Sequence, residues 1–381
     1  MKALHWKVGF AATLGLLLTL LVGAAEPAQK VGPKPDDWNK VVEGAIGFLK
    51  SQQAEDGSWS GDKNIGVTGV ALTGLLLSGK VGAKDPTVEK GLKYIESLIN
   101  PKAGHIAGKD PRLGLQNYVT CVNVMALASA NRDSYKTVIK DASSFLKKLQ
   151  WDDGEGKTPK DDFWGGAGYD SKSRPDLSNT QFFIDALIAT GVPKDDPALQ
   201  KALVFVSRCQ NFKSEANDQP WAAKINDGSF IYSAASGGQT KTTDSQDNLI
   251  GYGSMTYAGI KSMIYCGVSK EDPRVKKAWE WVQKNYTVET NPGMPKERSQ
   301  WGLFYYHHTM AKCLDALGVD YVEDSQGKKH DWRADITAAL AKRQRPDGSW
   351  VNKEDRWMEG DANLVTGYAL MALSYCKPKK N

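Results

Sequence analysis

A string that occurs near both ends of the chain constrains its fold more than any other feature. Phe48-Leu49 is followed by Gln53, Gly57 and Trp59, and Gln344, Gly348 and Trp350 repeat the second half of that spacing. Asp-Gly-Ser runs up to the Trp in both copies. Degenerate copies lie between. Phe145-Leu146 leads to Gln150 and Gly154, and Phe205-Val206 leads to Gln210 and, after an insertion, to Asp227-Gly228-Ser229-Phe230. Tyr94-Ile95 and Trp281-Val282 keep only the aromatic-aliphatic pair, and Ala339-Leu340 loses the aromatic. Recurrence at about 45 to 75 residues marks helical repeats, whose units bury their apolar faces only against neighbours.

Each copy precedes a second segment with its own signature, a Thr followed by small or apolar residues at helical spacing. Thr68, Thr120, Thr180, Thr256 and Thr366 open five of these, and Met310 takes the Thr place in the fifth unit. The second segments are apolar nearly all round, which predicts buried helices. The first segments are amphipathic, as where Lys147 and Lys148 interrupt Phe145, Leu146 and Leu149. Alternation of buried and amphipathic helices predicts an all-α fold, a six-hairpin α/α toroid with inner and outer rings. The inner helices are expected to begin near Ile65, Tyr118, Leu177, Gly253, His308 and Leu364. In the turn, Gln is expected to satisfy carbonyls at the outer helix's end, Gly to permit the tight turn, and Trp to pack the joint. Every such turn precedes an inner helix, so inner-helix N-termini gather on one rim with positive dipole ends, where a site is expected.

The flanks add a compartment. Lys2 and Lys7, the apolar run Val8 to Val22 and the small residues Gly23-Ala24-Ala25 read as a signal peptide over residues 1–25. A linker is expected over 26–37, the toroid over 38–376 and a basic tail over 377–381, with the chain exported to the periplasm or the exterior. Five cysteines without a C-x-x-C, four of them in apolar helical stretches, read as buried hydrophobes. The net charge of +5 forms no basic stripe, which argues against nucleic acid as partner. A membrane surface stays open as a partner.

The string Phe48 to Trp59 resembles the QW motif of squalene-hopene cyclases and the related prenyltransferase repeat proteins. Arg174 to Phe182, Tyr252 to Gly259, Asn291-Pro292-Gly293-Met294 and Tyr305-Tyr306-His307-His308-Thr309 resemble single-domain bacterial squalene-cyclase-like proteins. The resemblance spans nearly the whole mature chain and implies the toroid, with a central cavity for an isoprenoid or other apolar ligand. It also implies a place for chemistry. The cyclases protonate an alkene with the middle Asp of an Asp-x-Asp-Asp-Thr motif, and the matching string is Asp176-Leu177-Ser178-Asn179-Thr180. Ser178 stands at the donor position, and a hydroxyl is far too weak an acid for carbon. Asp176 then reads either as a displaced acid or as a helix cap. The zinc site of the prenyltransferases is likewise unfilled, since Tyr252-Gly253-Ser254 and His307-His308-Thr309 lack its ligands, and neither a metal nor another cofactor is expected.

Candidate catalytic groups are therefore Asp176, Asp361, His307 and His308, the two histidines being either a rim acid–base pair or packed residues. Trp164, Tyr169, Tyr252, Tyr257, Trp301, Tyr305 and Tyr306 are candidates for aromatic cavity walls, with Ser178 and Asn179 among them, or for packing between helices. Two other readings stand beside the ligand cavity: a lyase or hydrolase of an extracellular polymer using rim His and Asp, and a toroid that binds a peptide or protein.

Overall fold

The computed structural model describes residues 31–61, 63–108 and 115–379. The signal-peptide reading of residues 1–25 lies outside them, as do residues 26–30 of the expected linker. Helix α1 spans Pro35–Gln52, so the toroid starts three residues earlier than expected. It begins with Pro in its first turn, followed by Asp36 and Asp37, which suit a helix start.

Two rings then alternate. The outer helices are α1, α3 (Pro86–Ser97), α5 (Lys136–Lys148), α7 (Pro197–Arg208), α10 (Pro273–Lys284) and α12 (Trp332–Arg343). The inner helices are α2 (Val67–Leu77), α4 (Gln116–Ala130), α6 (Leu177–Ala189), α9 (Gly253–Tyr265), α11 (Leu303–Leu317) and α13 (Ala362–Tyr375). A single turn, α8 (Ala222–Ile225), sits in the long insertion after α7. Each inner helix packs against the next, and α13 packs against α2, so the inner ring closes. Outer helices wedge against inner ones, with α1 lying on both α12 and α13 to close the outer ring. The strands among the described residues form a two-residue hairpin, β1 (Val322–Glu323) with β2 (Lys329–His330).

The repeated turn divides its labour differently from the expectation. Trp59 Nε1 donates to Leu49 O at 2.7 Å and Trp350 Nε1 to Leu340 O at 2.8 Å, so the indole, not the Gln, satisfies the outer helix's last turn. Gln53 instead donates to Gly57 O and to Thr87 O, in the first turn of the next outer helix. Gln150 and Gln210 reach Ala198 O and Arg274 O in the same way, and Gln344 reaches Val41 O, joining last unit to first. Gly57 and Gly348 have φ of +92° and +88°, and a Cβ on either would collide with a backbone carbonyl of the neighbouring outer helix. In the third unit this place belongs to Gly165 rather than Gly154, because an insertion lengthens the turn: Gln150 donates to Gly165 O.

The Thr signature locks the inner helix to that turn. Thr68, Thr120, Thr180, Thr256 and Thr366 accept from the backbone amides of Trp59, Ile106, Ala167, Phe230 and Trp350 at 3.0–3.3 Å. The fifth unit has no such Thr, and its inner helix begins at Leu303, not near His308. Gly302, left-handed at φ 63°, turns the chain in there. Tyr306 and His307 fill the Thr role with rings, bonding Thr287 O and Val288 O at 2.6 and 2.8 Å. The basic tail is also anchored rather than freely solvated: Lys377 donates to Leu77 O, and Lys379 pairs with Asp320. All five cysteines are buried thiols.

Candidate functional site

The inner helices all start on one rim, and a cavity of about 290 Å³ opens there. Its walls come from the first two turns of α4, α6, α9, α11 and α13 and from the loops that lead into them. Tyr118, Ser178, Asn179, Phe182, Ser254, Met255, Tyr305, Leu364 and Tyr368 face it from helices, and Asn64, Leu115, Tyr169, Tyr232, Tyr252, Gly302, Trp357, Met358 and Glu359 from loops or helix caps. Eight of these are aromatic.

The floor is a set of interlocked rings. Phe182 meets Tyr118 edge-on at 5.2 Å and lies 6.0 Å from Tyr305, which meets Tyr368 at 5.9 Å. Hydroxyls link them: Tyr118 with Tyr368 at 3.2 Å, and Tyr305 with Ser178 at 3.2 Å. Gln181 Nε2 donates to the Tyr305 hydroxyl at 3.1 Å from below. Burial pushes the Tyr118 hydroxyl up to about 12, so it stays protonated and available as a donor at neutral pH.

Of the expected wall residues, Tyr169, Ser178, Asn179, Tyr252 and Tyr305 line the cavity. The others are placed elsewhere. Trp164 is buried under Lys201, whose ammonium sits 5.1 Å from its ring. Tyr257 and Tyr306 pack on each other at 5.7 Å between α9 and α11. Trp301 lies outside the walls, edge-on to Trp357 at 6.0 Å.

The candidate acids resolve into caps and core. Asp176 is the N-cap of α6, taking Asn179 N and Asn179 Nδ2 at 2.8 Å each, with the Tyr232 hydroxyl beside it. Burial raises its pKa despite these donors. Asp361 caps α13 through Asn363 N and Leu364 N at 2.9 and 3.2 Å. His307 and His308 are fully buried in the body of α11, one turn or more below the rim, because the helix starts five residues earlier than its Thr register implied. Burial pushes His307 down to about 4 and His308 well below the usual imidazole value, so both are neutral. They form no rim acid–base pair. Neither histidine lines the cavity.

The carboxyl that does line it is Glu359. Its Oε1 accepts from Phe304 N and Tyr305 N at 3.0 and 2.9 Å, and its Oε2 from Asn352 Nδ2 at 2.7 Å. Gly302, the N-cap of α11, has no side chain, and Glu359 caps that helix from across the rim. Burial outweighs these donors and pushes Glu359 up to about 7. The residues just before it, Trp357 and Met358, both have positive φ (58° and 64°) and both line the cavity. Non-glycine residues held left-handed in succession are strained, and such strain collects where a loop must be aimed. Trp357 is 38% exposed at the mouth. Among the described residues no group of three or more His, Cys, Asp or Glu is arranged to hold a metal ion.

No family model and no curated protein matches the sequence, so the repeat-family resemblance stands on its motifs alone. Solved structures match it as a fold. A glycosidase variant aligns with 90% of this chain and 97% of its own at 12% identity and a TM-score of 0.53. A second glycosidase variant, in complex with glucose, does so at 11% identity and 0.51. A variant of the type II terpene cyclase MstE from Scytonema, in complex with geranylgeranyl dihydroxybenzoate, covers 90% and 98% at 12% identity, with a TM-score of only 0.38. The likeness is one of α/α toroid architecture, and it assigns neither substrate nor reaction.

Proposed function

We propose that this protein binds a small, largely apolar molecule of isoprenoid type in the rim cavity and does not cyclise it. The observation that carries the reading is the aromatic floor of Tyr118, Phe182, Tyr305 and Tyr368 beneath Ser178, the residue at the cyclase donor position. Rings offer an apolar chain dispersion contacts on every side. The Ser178 hydroxyl, bonded to Tyr305, has no proton acidic enough for carbon. The cavity volume sits near the lower end of the roughly 300–1,000 Å³ of small-molecule sites, which suits a short chain. Export through residues 1–25 belongs to the same proposal and rests on the charge and apolar pattern given above. Titration of Trp357 fluorescence with n-dodecanol tests the cavity, with Tyr368→Ala as the control that removes the floor. A saturable change that weakens in the variant supports the reading, and no change at the solubility limit contradicts it. Incubation with squalene should give no polycyclic product. Product that vanishes in Asp176→Asn would show a working displaced acid.

A second reading rests on Glu359. A wall carboxyl near 7 holds a proton that is available at neutral pH, as a hydrolase acid requires. The glycosidase neighbours share the fold only. Turnover of aryl glycosides that is lost in Glu359→Gln would favour this reading, and no turnover across a panel would remove it.

A further inference from the structure

Two cations, Lys241 and Arg356, sit against walls of the cavity mouth, a third, Arg174, acts electrostatically on Lys241, and no carboxylate forms an ion pair with any of them among the described residues. Lys241 is half-buried, with Nζ 4.0 Å from the centroid of Tyr232 and 5.9 Å from that of Trp357, two cavity walls. The guanidinium of Arg356 lies 5.5 Å from Trp357 and 5.4 Å from Trp301. It also acts electrostatically on the wall residue Tyr169. Arg174 is half-buried, and its Nε is a buried donor with no acceptor. Lys241 senses both arginines: it is held below its usual value by burial first, then by Arg356 and by Arg174, against the pull of Asp176.

The carboxylates nearby do not answer this charge. Asp176 opposes it, but both of its oxygens are engaged by Asn179. Glu359 lies in the same cavity wall with its oxygens turned to Phe304 N, Tyr305 N and Asn352. Elsewhere the half-buried cations do find partners, as Arg132 does with Glu89 and Lys147 with Asp196. The positive ends of the inner helices add to the same field. A buried donor without an acceptor and a half-buried ammonium without a counter-ion are both costs that a bound oxyanion removes.

We propose that the cavity's ligand is an amphiphile whose oxyanion head, a carboxylate or a phosphate, sits at Arg174, Lys241 and Arg356 while its apolar chain lies on the tyrosine floor. This rests on the apolar-ligand reading and specifies the other end of the molecule. Lys241 and Tyr232 both belong to the insertion after α7, residues 209–252, whereas Arg174 and Arg356 come from the turns that lead into α6 and α13.

The test is calorimetric titration of the full chain with n-dodecanol, n-dodecyl phosphate, dodecanoate and inorganic phosphate, all below micelle concentrations. Dodecyl phosphate or dodecanoate should bind at least about tenfold tighter than dodecanol, and added salt should narrow that gap. The variant Arg174→Gln/Lys241→Gln should lose about tenfold in affinity for the anionic chain and change less than about twofold for dodecanol. Lys241→Gln alone, in a loop outside the helical rings, gives the same readout if the double variant does not fold. Dodecanol binding that matches the anionic chains, or anionic affinity untouched in the variants, overturns the head site while leaving the apolar-ligand reading in place. Inorganic phosphate binding as tightly as dodecyl phosphate overturns the amphiphile, because the chain would then contribute nothing. No binding by any chain overturns both.

Discussion

The upper and lower halves of the toroid's lumen are built on opposite principles. The upper half is an open cavity of phenol rings, with cations near its mouth that form no ion pair with a carboxylate among the described residues. The lower half is closed, and one carboxylate serves two ammonium groups there: Asp185 Oδ2 takes Lys261 Nζ at 2.6 Å and Lys312 Nζ at 2.8 Å, with Lys261 and Asp185 fully buried. A single polar thread joins the halves, from Ser178 through the Tyr305 hydroxyl to Gln181 and on to Lys261. The difference teaches where a ligand can go. In the lower half one carboxylate holds two ammonium groups, and this buried cluster fills the barrel beneath the cavity floor. On the proposal above, the charge at the upper mouth is what the head group of a ligand would meet.

The strongest way to break this comparison is to unpair the lower half. Asp185→Asn leaves two buried ammonium groups facing each other. It should cost about 3–5 kcal/mol in guanidinium denaturation at pH 7, the usual penalty for removing one partner of a buried ion pair. A loss under about 1 kcal/mol would show that water reaches the plug. Lys261→Met probes the same cluster by pH. Burial lowers Lys261 to about 8, from 10.5 in the unfolded chain, so the unfolded state binds more protons between those values. The stability of the wild type relative to Lys261→Met should therefore rise from about pH 8 toward 10.5, the thiol and phenol contributions cancelling in the difference. A flat difference would mean that Asp185 holds Lys261 fully charged despite its burial and the neighbouring Lys312.

In the upper half, Glu359 gives a smaller effect of opposite sign. Its folded pKa of about 7 lies above the unfolded 4.5, so its stability contribution is present below 4.5 and is lost as pH rises through 7. That loss should be on the order of 3 kcal/mol in the wild type and absent in Glu359→Gln, read from melts at matched ionic strength. An identical pH profile in both would place another group behind the slope. The smallest effect belongs to the frame that both halves share. Thr366→Val removes the acceptor of the buried Trp350 amide and should cost about 1 kcal/mol by urea denaturation. No change there would deny the Thr signature its locking role.

Much of the frame was legible because the repeat carries its own punctuation. The Gln-Gly-Trp turns at the two ends, their degenerate copies and the Thr that opens five of the second segments mark the hairpins, and five inner helices start within two residues of the predicted positions. The fifth unit's helix, α11, departs because its Thr is replaced by the rings of Tyr306 and His307, and Met310 was the wrong residue to align. That slip carried His307 and His308 to the rim on paper and into the core in the structure. The site was legible where residues sit in the first turn of a marked helix, as Ser178 and Asn179 do. Register alone also points to Tyr118, Phe182 and Tyr368, which occupy the first two turns of their inner helices. Trp357 and Met358 gave no such signal, since a left-handed loop with non-glycine residues has no periodicity and is held by contacts from other units. Aromatic type was a poor guide by itself, because Trp164, Tyr257 and Tyr306 have the same rings but pack between helices.

The central claim is that the upper half of the lumen is a ligand site, and a crystal structure of the protein grown with saturating n-dodecyl phosphate tests it most directly. The account predicts continuous chain density over Tyr118, Phe182, Tyr305 and Tyr368, with the head group within hydrogen-bond distance of Arg174 or Lys241. A cavity holding only ordered water at that concentration, or density for the chain at some other face, would contradict it.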